Sequence, residues 1–119
     1  MQSQDTLDSL HSFPATGAVA SHHVIKMLST GKLDVCPVAD VLLRLGVSMH
    51  ATAAANEELT YAPLVSGQIV EIVASATCTP GAQVIIGATP GQVADGTTNY
   101  IGICVVGAAA GQFASIQLR

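Results

Sequence analysis

The stretch Ile101-Gly102-Ile103-Cys104-Val105-Val106-Gly107-Ala108-Ala109-Ala110-Gly111-Gln112-Phe113-Ala114-Ser115-Ile116-Gln117-Leu118-Arg119 decides how the chain is read. Two β-rich runs flank a Gly/Ala linker, the pattern of a hairpin. In the second run Ala114, Ile116 and Leu118 share one face, and Phe113, Ser115 and Gln117 share the other, because strand side chains alternate. Gly107 and Gly111 bound the linker, where glycine accepts the positive φ of a longer hairpin loop. Only the Cys104 thiol in this stretch offers acid–base or nucleophilic chemistry.

The stretch has an echo. Leu45-Gly46-Val47-Ser48-Met49 precedes Ala53-Ala54-Ala55-Asn56 and then Glu58-Leu59-Thr60-Tyr61-Ala62-Pro63-Leu64. Asn56 stands where Gly111 stands, and asparagine is the next-best residue for a left-handed position. Further back, Ile25-Lys26-Met27 before Gly31-Lys32-Leu33 parallels Val84-Ile85-Ile86 before Gly91-Gln92-Val93. Each half reads strand, turn, strand, variable linker, strand, Ala-rich turn, strand. The expected fold is all-β, a small barrel or sandwich built from a duplicated unit. One β domain spans 22–119, with half-repeats at about 22–64 and 68–119.

Composition narrows the function classes. The 119 residues suit one domain. Hydrophobic residues make up 50% but aromatics only 3%, so the core must be aliphatic. Charged residues are 10%, against roughly 25% in a typical soluble domain. From Val65 onward the only charges are Glu71, Asp95 and Arg119. So neutral a surface favours contact with other subunits. The four basic residues, Lys26, Lys32, Arg44 and Arg119, are scattered, which argues against direct nucleic-acid binding. No apolar run nears the roughly 20 residues that span a bilayer, and no secretory signal is expected. Cys36, Cys78 and Cys104 are odd in number and widely spaced, as for thiols kept reduced in a cytosol.

Residues 1–21 read as an extended arm with apolar anchors at Leu7, Leu10, Phe13, Pro14 and Val19. Pro14 and Gly17 prevent a long helix there. The arm is expected to order on a neighbouring subunit, and its removal to leave the body folded. Val38, Val41, Leu42 and Leu45 have helical spacing, whereas the repeat favours a linker and then a strand from about Leu43, with one helical turn before it. Gln68–Ala74 is apolar on both faces apart from Gln68 and Glu71, as for a strand between packed layers.

A search for chemistry gives no catalytic residue, cofactor site or metal site. His22 and His23, as neighbours on a strand, would point apart, so they would not converge on one ion. His11 and His50 are isolated, and no Cys-x-x-Cys, Gly-x-Ser-x-Gly or phosphate loop occurs. Glu57-Glu58 reads as a solvated pair at a turn. Ile25-Lys26-Met27 is faintly similar to the Met-Lys-Met of biotin carrier domains, but it lacks the first methionine and lies before the turn rather than on it.

Val70-Glu71-Ile72, then Thr79-Pro80-Gly81-Ala82-Gln83-Val84, Gly91-Gln92-Val93-Ala94, Ile101-Gly102-Ile103 and Gly107-Ala108-Ala109-Ala110-Gly111 resemble, in order and spacing, the small capsid decoration (cement) proteins of tailed bacteriophages. The resemblance is best over Gln68 to Leu118. Gln112 departs from the acidic residue common there, and the Pro37–Leu43 linker is long. The resemblance implies a virion structural protein on the capsid exterior, with no reaction and no cofactor. It implies the major capsid protein and its own copies, as a homotrimer, as partners, and neither nucleic acid nor membrane. The alternative readings are another virion component of tail, neck or shell and, less favoured, a biotin-carrier-like domain.

Overall fold

The computed structural model describes residues 11–119. Leu7 and Leu10 lie outside the described residues. The described residues form ten strands: β1 His11–Pro14, β2 Val24–Met27, β3 Leu33–Val35, β4 Arg44–Ser48, β5 Glu58–Pro63, β6 Ile69–Val73, β7 Gln83–Ile86, β8 Val93–Asp95, β9 Gly102–Val106 and β10 Phe113–Leu118. They make two five-stranded antiparallel sheets in a sandwich-like body, with orders β1-β5-β4-β2-β3 and β6-β10-β9-β7-β8. Adding five to each number of the first order gives the second, so the halves share one topology.

The duplication extends to individual hydrogen bonds. The Ala15 N–H donates to the Glu57 carbonyl as Ala74 does to Gln112. Val19 and Thr52 exchange two backbone bonds, as Cys78 and Ala108 do. Asn56 has φ 70° where Gly111 has 85°. A carbonyl-bearing side chain closes both Ala-rich turns: Glu57 Oε1 accepts from the Ala53 N–H at 2.7 Å and Gln112 Oε1 from the Ala109 N–H at 3.3 Å. Gln112 is therefore a conservative departure, because an amide oxygen and a carboxylate oxygen both accept.

Each half has its own apolar centre. In the first half Ala15, Val19, Ile25, Leu33, Leu59 and Tyr61 cluster. Their counterparts Ala74, Cys78, Val84, Val93, Ala114 and Ile116 cluster in the second, joined by Val24, Cys36, Val41 and Val47 reaching across from the first. These four make the seam between halves. Burying a Val or Ile side chain is worth roughly 1.5–3 kcal/mol, so the seam is a substantial part of the core.

Three expectations are corrected. First, the described part of the expected arm is built into the body. The strand β1 pairs along β5, Ala15 and Val19 are buried, and His11–Pro14 is the counterpart of β6. The pairing register makes His11, Ser12 and Phe13 equivalent to Val70, Glu71 and Ile72, a match hidden by their unlike chemistry. The duplicated unit thus has five strands, and its first copy begins by residue 11. Second, β6 is an edge strand, not one buried on both faces; Ile69 is 56% exposed. Third, His22 is not on a strand. It turns the chain before β2 with φ 59°, where its counterpart Gly81 has φ 85°.

The segment that read both ways is a 3-10 turn, Val38–Leu43, running into β4. Only Val41 is buried there, and Leu42 is 78% exposed. Six residues are too few to hold a helix against the pull of strand pairing at Arg44.

Candidate assembly surface

Several of the polar side chains singled out in the sequence are engaged by backbone groups or by one another. Gln92 Nε2 donates to His23 Nε2 at 3.1 Å, which leaves His23 Nδ1–H to donate to the Ser21 carbonyl at 2.8 Å. His50 Nε2 accepts from the Thr60 N–H at 3.0 Å. The Lys26 ammonium pairs with Asp40, and that hydrogen bond raises the lysine's pKa. Lys26 sits inside β2 rather than at a hairpin tip, so the biotin-carrier reading fails on geometry. Glu57 caps its turn, and Glu58 is exposed on β5. Among the described residues no three His, Cys, Asp or Glu side chains converge as a metal site.

All three thiols are buried. Burial in apolar surroundings pushes Cys78 up to about 11, with the Cys104 thiol adding to the rise. Cys36 and Cys104 shift the same way, again chiefly through burial. A thiol that holds its proton longer in the folded state favours folding below the unfolded value of 9.0, and that stability is lost as pH climbs towards 11. The expected result is a falling urea midpoint between pH 9 and 11. The Cys78→Val variant, which borrows the residue of the equivalent Val19, should flatten part of that fall; an unchanged slope would show that Cys78 does not contribute.

Two clefts open on the surface. One, of about 260 Å³, is lined by Leu42, Arg44, Leu64, Ile101, Leu118 and Arg119. The other, of about 240 Å³, follows the seam and takes in His22, Met49, Ile69 and Glu71. Neither includes Glu57 or Glu58, the carboxylates singled out in the sequence.

The more prominent surface feature is apolar exposure. Leu42 and Leu43 project beside the first cleft, at 78% and 62%. Val105, Val106 and Phe113 form a second group where β9 and β10 approach their hairpin. The His22 ring lies against Phe113 with centroids 4.5 Å apart. Phe13 on β1 and Met27 on β2 are further exposed apolar side chains of the first half, at 39% and 37%. Of the expected arm contacts, Phe13 is open to solvent, Pro14 is half-buried and Val19 is core. The sequence pointed to uncharged surface in general, but these places depend on how two halves stack, which no local pattern encodes.

No family model and no curated protein matches the chain. Among solved structures it is similar to "The crystal structure of head fiber gp8.5 N base in bacteriophage phi29", with TM-score 0.70 and 11% identity over 93% of this chain and 95% of that one. At that identity the likeness shows a common fold across nearly the whole of both chains.

Proposed function

We propose that this protein is a structural component of a tailed-phage virion that sits on the outside of the head, binds the major capsid protein and reinforces the shell. The observation that carries the reading is the near-complete fold likeness to the base of a phage head fiber. The order and spacing of the Gly/Ala turns, similar to capsid decoration proteins, support the same reading. Sparse charge and scattered apolar patches suit a body that is covered on several sides.

The mechanism is additive binding rather than a reaction. Each copy contributes contact area at a joint between capsomers, and binding only the intact shell stabilises that shell by mass action. A homotrimer would multiply this, because the second and third contacts of one particle form at high effective concentration. The exposed Leu42-Leu43 pair and the Val105, Val106 and Phe113 group are the surfaces open to such contacts.

The rival reading is a neck, tail or minor shell component. Copy number separates them. Quantitative mass spectrometry of purified virions should find this chain at hundreds of copies, on the scale of the major capsid protein. A handful per particle would overturn the decoration role and favour the rival.

A further inference from the structure

We propose that the surface carrying Phe13, Met27 and the Gly31 turn is a docking site for a second copy of this chain. The occupant is the outer face of that copy's second half, the face built around Gly81–Gln83 and Gly96. The two equivalent halves differ in what they bury, and the difference locates the site.

The pairing registers set Phe13 opposite Leu59 and Ile72 opposite Ala114, and Met27 opposite Leu33 and Ile86 opposite Val93. Phe13 and Met27 are thus the counterparts of Ile72 and Ile86. In the second half both counterparts are 0% exposed, because the first half covers them across the seam. In the first half Phe13, although it stacks on Tyr61, and Met27 remain 39% and 37% exposed. The turns between the paired strands differ in the same way. A Cβ on Gly91 would meet the Cβ of His23 at 3.0 Å, whereas one on Gly31 would meet nothing within 4 Å.

The seam therefore joins unlike surfaces. One side presents the Gly91 turn with Ile72 and Ile86. The other presents β2 and Cys36, and two backbone bonds stitch them: Val24 N–H to the Gly91 carbonyl and Gly91 N–H to the Cys36 carbonyl; on the receiving side Cys36 N–H donates to the Val24 carbonyl. A head-to-tail joint of this kind leaves one used-up and one open surface on each half. The open partner of the Gly31 turn is the second half's equivalent of that β2 face. There Gln83 stands for Val24, Gly96 for Cys36 and Ala82 for His23. The local pattern is retained, since the Gly96 N–H donates to the Gln83 carbonyl as Cys36 does to Val24. Docked as across the seam, Lys32 of one copy, the counterpart of Gln92, meets the edge beside Asp95 of the next, which adds opposite charge. Two seam contacts do not carry over: Pro14 replaces the Val73 N–H that bonds His22, and Glu58 replaces the Phe113 ring under it. The joint between chains is accordingly weaker than the seam within one.

Repeated head-to-tail docking closes into a ring or runs on as a filament. With the homotrimer proposed above, on which this inference rests, the ring holds three chains and six half-units. The test is analytical ultracentrifugation of the full chain, together with cross-linking of a Lys32→Cys, Ala82→Cys double variant by a short bis-maleimide; the native thiols are buried. The expected result is a discrete oligomer at tens of micromolar, with the two introduced thiols linked to each other only between chains. Lys32→Glu, a change outside both apolar clusters, should raise its dissociation constant about tenfold, and Met27→Glu more. A monomer at that concentration would overturn the inference; it is what would be found if residues 1–10 of the same chain occupied the surface. An oligomer linked through position 32 to position 32, or indifferent to Lys32→Glu, would overturn it too. A monomer that still coats shells would sink this surface and spare the proposed function, while a ring that ignores shells would do the reverse.

Discussion

Gly102→Ala should destabilise the protein by about 3 kcal/mol, a cost at the upper end for overpacking in a well-filled core. A Cβ at that position would stand 2.4 Å from the Gln117 carbonyl oxygen and 2.7 Å from Ile116 Cγ2. The first of those atoms is backbone of the paired strand, where Leu118 lies opposite Gly102. It can retreat only by opening the β9–β10 ladder. Gly46→Ala should cost as much, because its Cβ would meet the Ala62 carbonyl oxygen at 2.4 Å. The same clash at equivalent sites is a consequence of the duplication. Gly31→Ala is the control: it meets nothing within 4 Å, so only its positive φ matters, worth roughly 1–2 kcal/mol. Chemical denaturation of the three variants measures this. If Gly102→Ala and Gly46→Ala both lay within about 1 kcal/mol of the parent, below the usual cost of overpacking, the close strand packing described here would be wrong.

Deleting residues 1–20 should abolish folding of the first half, and with it the seam. The deletion removes β1, whose four residues pair along β5, together with buried Ala15 and Val19. It also leaves Thr52 without the Gly17 carbonyl that its hydroxyl donates to and the Val19 N–H that it accepts from. Leu59 and Tyr61, now buried, would face water. Several lost side chains at roughly 1.5–3 kcal/mol each exceed the margin of a typical domain. Deleting only residues 1–10 leaves β1 and every contact just named in place, so that variant should fold. Circular dichroism and soluble yield separate the two. A well-folded protein lacking residues 1–20 would show that β1 is dispensable and that the arm expected from the sequence was the better description.

That contrast shows where the sequence was informative. The β10 alternation, the Ala-rich turns and the Asn56–Gly111 correspondence are local, and each is imposed by backbone geometry that any strand or left-handed turn must satisfy. They sufficed for the duplication and the all-β class. The first strand escaped notice because its partner lies 44 to 50 residues away along the chain. Its Ser and Pro also read as loop, and tertiary pairing overrode that preference. The edge position of β6 was hidden for a related reason. An apolar strand looks the same whether a second layer or another subunit covers its outer face. The seam was invisible because Val24, Cys36, Val41 and Val47 belong to no single periodic pattern. They meet the second half only after both sheets exist.

The same distinction applies to the assembly surface. Sparse charge from Val65 onward favours contact with other subunits, without saying where. Comparing halves supplies the location, since a residue buried in one copy and open in the other marks missing cover. Phe13 and Met27 stand out only beside Ile72 and Ile86.

Attachment to the outside of an assembled phage head is the claim on which the proposed function turns. The most direct measurement is sedimentation of the purified protein with undecorated shells of its own phage at micromolar concentration, with occupancy read by electron cryomicroscopy. The protein should pellet with the shells and add density at repeated positions on their outer surface. Protein left in the supernatant, with shells unchanged in outline, would contradict it.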